Sequence, residues 1–80
     1  MFDKIEEIVR IIEHLKKEEI KDTRNIQQVY EFICDQHAKI IIETNESNNN
    51  ILAIMIHLNT SLTSPKWKDH LNAVCTLLKK

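Results

Sequence analysis

The sequence predicts an all-α fold, a small antiparallel bundle of three to four helices forming one domain over residues 1–80, and three observations carry that prediction. Glycine is absent from all 80 residues and proline occurs once, so the tight turns of an all-β fold have few residues to build them. Apolar residues recur at three- and four-residue steps along most of the chain, the period of a helix with one buried face. The length allows one domain, and a chain this size buries roughly 60–65% of its unfolded surface.

Four segments share that period. The first covers residues 3–17, with Phe2, Ile5, Ile8, Val9, Ile12 and Leu15 on one face. Asp3 and Glu6 resemble a capping box, and Glu6–Arg10 and Glu13–Lys17 are (i, i+4) pairs in the better orientation. The second covers residues 24–43, with Asp22 or Thr23 as N-cap and a stripe of Ile26, Val29, Tyr30, Ile33, His37, Ile40 and Ile41. Neither glycine nor proline separates these two segments. A single continuous helix, however, would put Glu19, Asp22 and Thr23 on its apolar face, so a break near Glu19–Asp22 is expected. Residues 44–50, Thr-Asn-Glu-Ser-Asn-Asn-Asn, favour turns and caps over helix interiors. The third segment covers residues 50–61. The fourth covers 65–79, with Ser64 as N-cap and Pro65 in the first helical position. Its stripe of Trp67, Leu71, Val74, Cys75 and Leu78 is expected in the core, and Lys79-Lys80 at its end suits the helix dipole.

The third segment is too apolar for an ordinary surface helix. Between Ile40 and Pro65 the only charged side chains are Glu43 and Glu46, and residues 51–58 are apolar on nearly every side except at His57. A surface helix is apolar over about a third of its circumference. Either this helix is central and covered by the other three, or part of it meets another molecule. The second alternative names an interaction surface of Ile51, Ile54, Met55 and Leu58, with Ile40 and Ile41 adjoining.

Motifs of catalysis and cofactor binding are scarce. Without glycine there is no P-loop, dinucleotide fingerprint or nucleophile elbow, so no catalytic residue and no cofactor is assigned and a non-enzyme is expected. Four histidines (His14, His37, His57, His70) and two cysteines (Cys34, Cys75) are present. Cys34 and His37 share one helix face, yet the remaining ligands stand in no recognised zinc spacing, so no metal is assigned. Both cysteines are expected to be small hydrophobes near the core. His37 lies on the apolar stripe and His57 interrupts the most apolar helix, where hydrogen-bonded core histidines or a pH-responsive interface are the two alternatives. Eleven basic against twelve acidic residues give a net charge of -1, which argues against a duplex-DNA binder. Lys66, Lys68, Lys79 and Lys80 beside Trp67 make a solvated helix end. No signal peptide is evident at Met1-Phe2-Asp3-Lys4. The longest nearly apolar stretch, 51–58, is too short to span a bilayer, and a reducing cytoplasm is the expected location.

Two resemblances bear on function. Asn50-Ile51 followed by Ile56-His57, and the run from His70 to Leu78, resemble the third and final helices of the AriR/YcgZ-type enterobacterial connector and biofilm regulators, over roughly residues 26–80. That resemblance implies a dimeric helical regulator acting through protein contacts. The immediate first helix, the Lys21-Asp22 turn and the long second helix look like the plan of class IIa bacteriocin immunity proteins. This second resemblance implies a protein that protects a cell at its membrane transporter. The expectation adopted is a small non-enzymatic bacterial regulator, working by protein–protein contact as a homodimer or with another protein. A toxin-neutralising bundle is the alternative, and a nucleic-acid-associated regulator a further one.

Overall fold

The computed structural model describes residues 5–46 and 48–79. These form four helices, α1 (Ile5–Lys17), α2 (Thr23–Thr44), α3 (Asn49–Ser61) and α4 (Trp67–Leu78), and no strand occurs among the described residues. Phe2, Asp3 and Lys80, to which the sequence assigned a stripe position, a cap and a dipole role, lie outside them.

Each helix end has a local cause. The chain breaks after Lys17, and Asp22 caps α2 by accepting a hydrogen bond from the Asn25 backbone N–H at 3.1 Å. Its second oxygen accepts from the Asn25 side chain at 2.7 Å. The α2 C-terminus needs a left-handed residue, and with no glycine to supply one, Asn45 takes φ 57° and ψ 26°. Asparagine tolerates this region better than most residues with a Cβ. Three residues later Asn48 is extended and its Oδ1 accepts from the Ile51 N–H at 3.1 Å, capping α3.

The start of α4 departs from expectation. Ser64 does not cap the helix: its hydroxyl accepts from the Lys66 N–H two residues on, at 3.0 Å, which closes a local turn. Pro65 sits in that turn rather than in the helix. Lys66 then becomes the N-cap, without a side-chain cap hydrogen bond. The helix therefore starts two residues later than the Ser-Pro pair suggests.

One core joins all four helices. Ile8, Ile12 and Leu15 meet Ile26, Val29 and Ile33, then Ile51, Ile54 and Leu58, and finally Leu71, Val74, Cys75 and Leu78. These spacings of three and four place each set on one helix face. Trp67, expected inside, is half-buried and packs against this cluster, with the Lys68 ammonium 5.3 Å from its ring centroid. The most extensive packing is α3 on α4; α2 lies along α3 and α1 along α4, while α1 and α2 barely touch. The spatial order is thus α1–α4–α3–α2, a ring left open between its two sequence-adjacent ends.

Polar ties hold the open ring in shape. Lys79 donates to Glu13 at 3.1 Å and Lys16 to Asn72 at 3.1 Å, linking α1 with α4. Lys79, not Lys17, is therefore the partner of Glu13. The bond from Lys79, aided by its charge, holds the Glu13 carboxyl below its ordinary range. That tie is present at neutral pH and is lost as acidification protonates the carboxyl. Lys21 donates to the Leu62 carbonyl at 2.7 Å, fastening the α1–α2 turn to the end of α3.

The placement of α3 makes a sharp contrast testable. Ile54 is fully buried and Ile56 is 64% exposed. Ile54→Ala should cost about 2–5 kcal/mol, a large part of the roughly 4–12 kcal/mol typical of 80 residues. Ile56→Ala should stay within about 0.5 kcal/mol of wild type. Urea unfolding of both variants checks this, and equal losses would contradict the orientation of α3.

Candidate functional site

The open seam of the ring is a cleft. Between α1 and α2 lies a groove of about 770 Å³, with Ile8, Ile11 and Leu15 from one wall and Val29 and Phe32 from the other. Glu7, Arg10 and His14 line the α1 side, and Asn25 and Gln28 the α2 side. Its floor is therefore apolar and its edges carry both signs of charge. His14 is itself within 3.4 Å of Glu18 on the same helix.

Why the groove exists follows from the two helices. The α1 core face is Ile8, Ile12 and Leu15, which is committed to α4 and the shared interior. Ile11 falls beside that face and remains 41% exposed. On α2 the buried stripe is Ile26, Val29, Ile33 and His37, and Phe32 lies at its edge, half-buried against the core. Ile11 and Phe32 are bulky apolar residues of the groove wall that the sequence stripes left out. Their position one step off each stripe is the signal that marks this seam.

The sequence-predicted interaction surface is mostly elsewhere. Ile51, Ile54 and Leu58 are each 0% exposed in the single chain, so none of them is available to a partner of the folded monomer. The physical reason is that α3 is flanked by α2 and α4 at once, which covers its apolar circumference on the side of Ile51, Ile54 and Leu58 and leaves Ile56 outside. Met55 and Ile40 are half-buried against the core. Ile41 is partly exposed, and its neighbour Ile42 is 82% exposed. The residues that protrude are thus the flanks of the predicted surface and not its centre.

The titratable side chains divide into inert and paired groups. Burial pushes the Cys75 thiol above its ordinary value, which keeps it protonated and a poor nucleophile. Tyr30 is likewise held above its ordinary value, first by its hydrogen bond to Cys34. No group of three or more His, Cys, Asp or Glu able to hold a metal occurs among the described residues. His57 and His70 do meet: their Nδ1 atoms are 3.0 Å apart across the α3–α4 contact. His37 is buried, and its Nε2 has no hydrogen-bond partner among the described residues.

No helix among the described residues is long and apolar enough to cross a membrane.

The unsatisfied His37 Nε2 sets up a stability prediction. A buried polar atom without a partner is destabilising, typically by about 1–3 kcal/mol. His37→Leu should therefore raise stability by about 1 kcal/mol, measured by the midpoint of urea unfolding at neutral pH. A loss of stability would show that this nitrogen is hydrogen-bonded in solution. Compared with known proteins, the chain matches no family model, no curated protein and no solved structure.

Proposed function

We propose that this protein is a non-enzymatic interaction module, a small bacterial regulator that works as a homodimer, and that the α1–α2 groove is its docking surface. The observation that carries the proposal is the pair Ile11 and Phe32 facing one cleft between helices that barely touch. An apolar floor with a polar edge is the surface an amphipathic helix occupies when it binds in a groove. The likeness of residues 26–80 to connector-type regulators supports the same reading.

Charge favours a second copy as the occupant. α1 begins with Glu6 and Glu7 and ends with Lys17, Lys16 being held by Asn72 on α4. A second α1 running antiparallel brings its basic end to the acidic end of the first, and the reverse at the other end. A twofold axis makes the contact self-complementary in this way. Ile11 lies near the middle of α1, so the two copies of Ile11 approach each other near the axis. Two α1 helices, each against the other copy's groove, make a small interface, and small interfaces give reversible association.

Light scattering coupled to size-exclusion chromatography, over a hundredfold range of concentration, tests this. The mass should rise from about 9.5 kDa towards twice that value. Ile11→Arg should leave the helical circular dichroism unchanged and hold the protein monomeric throughout. Wild type that is monomeric at every concentration, or a dimer indifferent to Ile11→Arg, would overturn the proposal.

A further inference from the structure

The His57–His70 contact has a geometry more specific than proximity. The ring centroids are 5.3 Å apart while the Nδ1 atoms are 3.0 Å apart. The difference is the sum of the two ring radii, so both nitrogens lie on the line joining the centroids and point straight at each other. Chelation of a divalent metal needs the two lone pairs to converge on a point off that line. Head-on nitrogens at hydrogen-bond distance instead suit one proton between them.

We propose that His57 and His70 share a single proton as a clasp between α3 and α4, and that acid opens the clasp only when both rings are protonated. The argument is a count of hydrogens. Two bare nitrogens at 3.0 Å repel, and two N–H groups collide, so one Nδ1 donates and the other accepts. In the neutral pair the donor ring is the Nδ1–H tautomer and the acceptor ring the Nε2–H tautomer. A first added proton goes to the donor ring's free Nε2. The N–H···N bond survives and becomes charge-assisted, hence stronger. A second proton has only the acceptor's Nδ1 lone pair to bind. It removes the acceptor and sets two like charges face to face.

The surroundings offer no relief for that second charge. α3 carries no Asp, Glu, Lys or Arg. On α4 the charged neighbours of His70 are Lys66, one turn earlier, and Asp69, both exposed. On α2, which packs on α3, Glu31, Asp35 and Lys39 are exposed. On α1, which packs on α4, Glu13 is bonded to Lys79 and Lys16 to Asn72. No further His, Cys, Asp or Glu among the described residues gathers with the pair. Between the two rings, then, the only response to double protonation is separation, at the most extensive helix contact of the fold.

Two measurements on the full chain test the clasp, both at high dilution so that self-association plays no part. Long-range ¹H–¹⁵N correlation spectra of the unmodified protein at about pH 7.5 should show opposite tautomers on His57 and His70. The same tautomer on both rings overturns the proposal, whatever any variant does. Thermal unfolding is then followed from about pH 7.5 to about pH 5 for wild type and for the double variant His57→Gln with His70→Gln. His14 and His37 are present in both proteins, so their contributions cancel in the comparison. Wild type should lose about 4–8 °C more than the double variant, the shift expected when one hydrogen bond is lost in a domain this small. An equal loss in the two proteins rejects the clasp.

Discussion

Everything in this bundle depends on α3 being covered from two sides. Ile51, Ile54 and Leu58 are wholly buried, and α2 and α4 are the helices that bury them. A helix of 13 residues with no Asp, Glu, Lys or Arg does not stand free in water, because its apolar surface exceeds one face. Packing it between two neighbours removes most of that surface from solvent. The arrangement of the outer helices follows. α2 and α4 are drawn to α3, α1 is drawn to α4, and nothing draws α1 to α2.

The open seam is thus a consequence of where the apolar surface lies. Two helices joined by a short turn ordinarily pack on each other. Here their main stripes pack largely on other helices, and Ile11 and Phe32 lie beside those stripes at the cleft. Polar bonds hold the seam's shape: Lys79 to Glu13 and Lys16 to Asn72 fix α1 from the far side, and Lys21 to Leu62 fixes the turn. The two exposed contacts between α1 and α4 contribute little to stability individually.

The absence of glycine is met by asparagine. Asn45 takes the left-handed position that ends α2, and Asn48 caps α3, so two asparagines of the polar run act as specific terminators. The same polar economy is missing inside. His37 is buried with an unsatisfied nitrogen, while His57 and His70 satisfy each other. His57 finds a partner nitrogen on α4, whereas the Nε2 of His37 finds none among the described residues.

The sequence by itself determined the helical class, the four segments to within two residues at the described ends, and the core stripes of α1, α2 and α4 apart from Trp67. Each of these follows from local chemistry: period, caps and the lack of glycine act over a few residues. The break between α1 and α2 was legible because a continuous helix would have turned Glu19 and Asp22 inward. Tertiary structure decided the rest. Whether the apolar α3 was central or an interface depended on how many neighbours would cover it, which no local pattern states. The groove likewise arises from two residues one step off their stripes, on helices whose mutual angle is set by α3 and α4. The His57–His70 contact joins positions on different helices, so spacing along the chain could not show it. Period gives each helix a face, and only packing decides what that face meets.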